Sequence, residues 1–447
     1  MRASHTLRIP SAWPTTQRYG INFQLILFQN VISLGVVVAL TMTTSENNSG
    51  SLDDSNGIPT PPKATNDHTI DDIKCKIQCL CRSKQPTTLV VRDLVTQLGL
   101  TEDVQEWFIK TCLRDEEWSE ETLGQGDIVY WKRLLHALMK EIERDGSAVV
   151  ADVVGNALVD LNMEQRREDM GGMECSSWLR KRYTYTGMND CGKECCDDIE
   201  IWSHVNMFEG STGCFEWDAG YFMAEYVMSH PEIFQNRVCM EIGCGCGMVT
   251  IVLSRLCGNS PVLATDGNEE TLQNCASNMK RNGINIGSCH GYEQQEHTCR
   301  PVMMKCFQWE HGWHSLVQDE MLQEALNNHT NTSAPLCVLG ADILYDPEII
   351  PTIVPLIAEI LEYMYQLRHG DESTNPSYVY LSTRRRSDTT LEKFLNAVKV
   401  EPHLCIEDLS EHAHATDAIR FCHIPSLDDS RTAESILLHR LWYSIEC

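Results

Sequence analysis

Seven residues, Glu241-Ile242-Gly243-Cys244-Gly245-Cys246-Gly247, carry the densest chemical signal in the chain. Glycines at alternate positions let a backbone turn tightly and approach a ligand closely. The run Val238–Gly243 reads as a strand and Met248–Leu256 as a helix, so the glycines occupy a strand-to-helix turn. The spacing is G-x-G-x-G, and Met248 stands where a dinucleotide fingerprint has its third glycine. Asp266, at the end of the next β-type run, offers a carboxylate suited to the two hydroxyls of an adenosine ribose. Turn and carboxylate together favour S-adenosylmethionine over a nicotinamide dinucleotide. The competing reading is an ordinary tight turn, with Asp266 capping the following helix.

A second group, Ala341-Asp342-Ile343-Leu344-Tyr345, falls at the end of the fourth strand of the same alternating region. In open α/β sheets ligands bind beyond the carboxyl ends of the strands, where this segment belongs. Asp346-Pro347-Glu348 supplies its own start for the helix through Ile349, with Pro at the first helical position. Asp342 is therefore expected to be spare and to face the cleft. DNA amino-methyltransferases place Asn or Asp-Pro-Pro-Tyr here, and this chain has no such Pro-Pro.

The elements that must position these groups alternate after Val238. Strand-like Val262–Asp266, Val302–Trp309, Leu336–Ala341 and Tyr378–Ser382 are interleaved with helix-like Glu269–Arg281, Ile349–Tyr365 and Leu391–Val398. Such alternation predicts a parallel sheet with helices on both faces. Leu404–Ile406 and Ile436–Tyr443 close the chain as an antiparallel hairpin at the sheet edge. Upstream, Leu89–Leu98, Thr101–Leu113, Ile128–Ile142 and Val149–Leu161 space their apolar residues helically and predict an all-helical N-terminal region. Gly171–Glu200 reads as a loop-rich joint. The expected division is 1–87 leader and disordered linker, 88–170 helical accessory region and 200–447 catalytic domain.

Composition limits partners more than it limits fold. Charged residues make up 22% and hydrophobic ones 42%, as in an ordinary soluble protein, but the net charge is −27. That charge repels nucleic acid and favours a partner with a basic surface. Cysteine is abundant at 21, yet Cys75-x3-Cys79-x-Cys81 and Cys191-x3-Cys195-Cys196 lack the paired C-x2-C of a zinc ribbon, so free thiols and no metal are expected. Phe23–Leu40, preceded by Arg2, Arg8 and Arg18, resembles a signal anchor, signal peptide or organellar leader. The other reading is a start at Met42, which gives a cytoplasmic protein with no membrane contact. A secreted chain would carry glycosylation acceptors at Asn328 and Asn331.

Taken in order, Gly213-Cys214-Phe215-Glu216-Trp217-Asp218-Ala219, Glu241–Gly245, Gln308-Trp309 and Ala341–Tyr345 resemble the seven-β-strand protein-lysine methyltransferases with an Asp/Glu-x-x-Tyr motif. Trp217–Phe234 looks most like the branch that methylates a lysine of eukaryotic elongation factor 2. The resemblance covers about residues 200–445. It implies a class I (Rossmann-like) methyltransferase sheet, S-adenosylmethionine as cofactor, and a pocket lined by Trp217, Gly243, Cys244, Gly245, Trp309 and Ala341. It also implies a protein substrate, elongation factor 2; a monomer is expected.

Asp342 and Tyr345 are the expected catalytic pair, Asp342 holding the ammonium and Tyr345 orienting the nitrogen lone pair. A free lysine has a pKa of about 10.4, so presenting its neutral amine near pH 7 costs about 4–5 kcal/mol. Alternatives are a same-fold enzyme acting on another protein, or a cofactor-binding module without turnover. Leu89–Leu161 is expected either to dock the substrate, steering with Asp115, Glu116, Glu117, Glu120 and Glu121, or to prop the Trp217 loop.

Overall fold

The structure, a computed structural model, describes residues 69–445 apart from 115–123, 171–177, 189–193, 205–211, 257–260, 288–301, 321, 324–325, 327–334, 368–375 and 416–418. The apolar run 23–40, Met42, Cys191, the five acids of 115–121 and the acceptors at 328 and 331 lie outside the described residues. Among those described, no helix is long and apolar enough to cross a membrane.

The chain begins with helices α1 (Ile70–Arg82), α2 (Thr87–Leu98), α3 (Glu102–Phe108, continued by a π-turn Ile109–Leu113), α4 (Gln125–Asp145) and α5 (Asp152–Met170). α1 falls within the stretch 1–87 that was expected to be leader and linker. Its sequence carried the signal: Ile73, Ile77 and Leu80 recur at helical spacing, and Thr69 with Asp72 forms a capping box. Ile77, Leu80, Leu94, Phe108, Trp131 and Leu134 meet in one apolar core. Each such side chain contributes about 1.5–3 kcal/mol on burial. Inside that core Lys84 and Asp127 pair at 3.3 Å, with Lys84 Nζ 4.9 Å from the Trp131 ring centroid.

The expected loop-rich joint, 171–200, is instead largely an antiparallel pair. β1 (Trp178–Met188) pairs with β2 (Glu194–His204) in the register Tyr183↔Ile199. Leu179, Lys181 and Tyr183 point inward at period two, but a lysine and flanking arginines mask the alternation. Leu179 packs into the helical core, whereas Tyr183 and Ile201 pack into the core beyond it. The pair thus joins two cores.

Helices α6 (Asp218–Ser229) and α7 (Pro231–Phe234) then lead into the main sheet. Its elements follow in order: β3 (Val238–Ile242), α8 (Met248–Leu256), β4 (Val262–Asp266), α9 (Glu269–Arg281), β5 (Val302–Cys306), α10 (Gly312–Val317) and β6 (Leu336–Ala341). After these come α11 (Ile350–Leu367), β7 (Tyr378–Arg384), α12 (Asp388–Val400), β8 (Leu404–Asp408), α13 (Ser410–Ala415), β9 (Arg420–Phe421) and β10 (Ile436–Tyr443). The strand order is β5-β4-β3-β6-β7-β10-β8. β5 to β7 run parallel, and β10 is antiparallel to both β7 and β8.

β8 and β10 do pair antiparallel, but β10 lies between β7 and β8, and their connection passes through α13 and β9. β9 leaves the main sheet and adds to β1.

Period-two sorting builds both faces of the sheet. Val238, Met240 and Ile242 of β3 join the core with α11 and α12, while Cys239 joins the one with α6, α8 and α9. Both faces are covered, which is why the parallel strands read as continuous apolar runs. β4 and β6 flank β3, so the chain reverses direction across the sheet at the carboxyl ends of β3 and β6, the crevice where open sheets bind ligands.

Candidate active site

The β3–α8 turn is built from backbone. Gly243 and Gly245 hold φ of 70° and 54°, in the left-handed region. A Cβ on Gly243 would sit 2.9 Å from Ile343 Cγ2 and 3.4 Å from Trp309 Cζ2. On Gly245 it would sit 3.1 Å from the Gly213 carbonyl. Cys244 N–H donates to the Thr265 carbonyl at 2.9 Å, and Gly245 N–H to Asp266 Oδ2 at 3.2 Å. Asp266 also accepts from Asn268 N–H, and burial raises its pKa. It does not cap α9; Asn268 does, accepting from Thr271 N–H.

Facing this turn is the loop before α6. Trp217 Nε1 donates to the Thr212 carbonyl at 3.1 Å, and its ring lies edge-on to Phe215. Glu216 is held by β1: Lys181 Nζ approaches Oε2 at 2.8 Å and Tyr183 Oη donates to Oε1 at 3.1 Å. Tyr221 of α6 donates to Tyr183 Oη at 2.7 Å. β2 reaches the glycine turn through Asn278 of α9, whose amide donates to the carbonyls of both Trp202 and Cys246.

A cleft lies between the two, lined among others by Trp217, Tyr221, Glu241, Gly243, Gly245 and Ala341, with Cys244 and Cys246 in the same lining. Five of the expected cofactor residues therefore meet there: Trp217, Gly243, Cys244, Gly245 and Ala341. Trp309 and Asp266 stand at its edge, one packed toward Gly243 and the other bonded to Gly245. Trp309 sits in a short helical turn (Trp309–His311), since β5 ends at Cys306.

Asp342 follows Ala341 in the left-handed region at φ 56°, 5% exposed. It is not spare, as the sequence suggested. Arg386 grips both of its oxygens, at 2.8 and 2.5 Å, and Arg384 N–H adds a longer bond. Tyr345 is 56% exposed, and its hydroxyl forms no hydrogen bond among the described residues. Asp346 Oδ1 accepts from Glu348 N–H in a turn, and α11 begins at Ile350, so Pro347 precedes the helix and is not its first residue.

Two contributors to this site were missed from sequence. Glu241 lines the cleft at 2% exposure, where burial pushes its carboxyl up to about 8 while Thr250 donates to it. Its place at the head of the glycine motif was the available signal. Arg386 belongs to Arg384-Arg385-Arg386, a run that reads as a solvated charged turn.

A parallel β5-β4-β3-β6-β7 sheet closed by an antiparallel strand, with a glycine turn after its central strand, defines a class I, Rossmann-like methyltransferase fold. Residues 196–401 match the family model described as lysine methyltransferase. Protein-lysine N-methyltransferase EFM3 of Chaetomium thermophilum is 26% identical over 155 residues, 34% of this chain and 40% of that protein. Protein-lysine N-methyltransferase EEF2KMT of Homo sapiens is 23% identical over 151 residues, 34% of this chain and 41% of that protein. The alignments thus span less than two thirds of either relative's length. The crystal structure of an O-methyltransferase from Bacillus cereus in complex with SAH aligns with 51% of this chain and 80% of its own at 14% identity, with a TM-score of 0.26.

Proposed function

We propose that the chain transfers methyl groups from S-adenosylmethionine to a lysine side chain of another protein, with elongation factor 2 the substrate that the motif resemblance implies. The observation that carries this reading is the meeting of Trp217, Glu241, the glycine turn and Ala341 around one cleft, within a segment that matches the lysine methyltransferase family. The names of the two relatives, both protein-lysine N-methyltransferases, support the acceptor.

The residues fit the cofactor. Aromatic faces at Phe215, Trp217 and Tyr221 and the Glu241 carboxyl surround the cleft, a lining suited to a sulfonium cation and an adenine. Trp309 Nε1 is buried with no hydrogen-bond partner among the described residues, leaving a donor beside the glycine turn. The bound cofactor supplies an electrophilic methyl group. Asp342 holds the incoming ammonium, and its fixed backbone limits where that nitrogen can sit. Tyr345, on the exposed side, orients the amine once it has lost its proton. Positioning supplies most of the acceleration in such an in-line displacement.

The test is incubation with labelled S-adenosylmethionine and purified elongation factor 2, followed by mapping of the modified residue. Label on a lysine that disappears with Asp342→Asn supports the reading, with turnover lower by about 100-fold or more. Label on another residue type, or none on any protein of a lysate, sinks it.

A further inference from the structure

Three consecutive arginines leave β7, and each has a different neighbour. Arg385 pairs with Asp388 at the surface, both more than half exposed. Arg384 pairs with Asp218 at the start of α6. Arg386 turns into the site, where its guanidinium spans both oxygens of Asp342, whose side chain is only 2% exposed. The same guanidinium lies 5.3 Å from the Trp217 ring centroid. One planar cation therefore touches the carboxylate expected to receive the acceptor and the indole expected to line the cofactor pocket.

We infer that Arg386 is a positioning residue that sets Asp342 for the acceptor amine and Trp217 for the cofactor, coupling the two half-sites. The inference rests on the methyltransferase reading above. A fork-like guanidinium binds a carboxylate through two parallel bonds and fixes its plane, which a lysine cannot do. A carboxylate has about four lone-pair sites; Arg386 occupies two of them and the Arg384 N–H a third, so one remains for an incoming ammonium. The guanidinium also suits the aromatic face of Trp217. Arg386 is thus placed to hold both walls in register without touching the transferred methyl.

The experiment compares the full chain with Arg386→Met, Arg386→Lys, Asp342→Asn and the Arg386→Met/Asp342→Asn pair. S-adenosylhomocysteine affinity is measured by calorimetry, and amide exchange over Trp217–Gly220 is measured in the ligand-free protein. Arg386→Met is expected to bind S-adenosylhomocysteine about 5-fold more weakly and to speed exchange over Trp217–Gly220. It should also lower kcat about 100-fold, with KM for the protein substrate changed less than about 3-fold. Arg386→Lys should recover about a tenth of wild-type kcat, keeping the charge but not the fork. The double variant should be no slower than Asp342→Asn alone.

Unchanged affinity and exchange in Arg386→Met would overturn the inference while leaving the functional reading intact. So would additive losses in the double variant. A lower KM with kcat preserved would overturn it differently, by making the guanidinium a competitor for the acceptor's place. A wild-type chain that binds no S-adenosylhomocysteine would overturn the functional reading itself, and this inference with it.

Discussion

The two walls of the cleft are held by different physics. The glycine turn is fixed through its own N–H groups, Cys244 N–H to the Thr265 carbonyl and Gly245 N–H to the Asp266 carboxylate on the neighbouring strand, with Gly243 and Gly245 in conformations that side chains rarely adopt. The Trp217 wall is fixed by side chains from far away. Lys181 and Tyr183 grip Glu216, Arg384 grips Asp218, and Arg386 faces Trp217. One wall is intrinsic to the sheet. The other belongs jointly to the β1–β2 pair and to β7, so its geometry is only as good as the packing that brings those elements together.

The largest expected effect comes from attacking the intrinsic wall. Gly243→Val places a branched side chain against Ile343 at positive φ, and S-adenosylhomocysteine affinity should fall at least about 100-fold by calorimetry. Affinity within a factor of three of wild type would mean the turn does not contact the ligand.

Removing the supports of the other wall should come next. A chain beginning at Ile201 lacks α1–α5 and β1, and with them Lys181 and Tyr183. We expect cofactor affinity to fall about 10-fold or more, or the protein to lose cooperative unfolding in a melting experiment. Normal cofactor binding with methylation of the protein substrate abolished would instead make the helical region a docking module. That result would separate the two regions more sharply than their shared cores suggest.

Lys181→Met tests the grip alone. It strands Glu216, whose side chain is 3% exposed, and losing one partner of such a pair costs about 3–5 kcal/mol. Thermal denaturation should show a drop of several degrees, partly restored by Glu216→Gln in the same chain. No restoration would show that Lys181 acts through packing on Phe215, 5.3 Å away, and not through the charge pair.

The smallest effect concerns pH. Burial raises Glu241 from 4.5 to about 8, so the fold favours its protonated form. The stability this group contributes is full below pH 4.5 and is lost as pH rises through about 8. Glu241→Gln removes that dependence. The decline in Tm of the cofactor-free protein from pH 6 to 9 should shrink by about 4 °C. An identical decline in both proteins would place the titrating group elsewhere.

The intrinsic wall was legible in the sequence because its information is local: glycines, a flanking strand and helix, and Asp266 at the next strand end all lie within a short stretch. The parallel sheet with helices on both faces followed from the alternation of strand-like and helix-like runs. The distant supports of the Trp217 wall were not legible. β1 hides its period-two pattern behind Arg180, Lys181 and Arg182, since the inward position at 181 is filled by a lysine whose partner lies 35 residues ahead. Asp342 read as spare because Asp346-Pro347-Glu348 offered the next helix its own start, and its partner Arg386 is 44 residues away. A run of three arginines carries no mark of which one turns inward. α1 was legible in principle, since Ile73, Ile77 and Leu80 recur at helical spacing behind the Thr69–Asp72 capping box.

The arrangement also sets an order of events during synthesis. Asp218, at the end of the Trp217 loop, is gripped by Arg384, which lies 166 residues later in the chain. At about 5–20 residues per second, that partner emerges from the ribosome roughly 8–33 s after the loop does. The β1–β2 grip on Glu216 is available early, whereas the β7 grip arrives late. A nascent chain thus holds a half-anchored wall until most of the sheet has been made, and the cleft cannot take its final shape before then. Any ligand that stabilises the finished cleft can therefore act on folding only in the last stage, as a lock on a completed sheet and not as a seed for it.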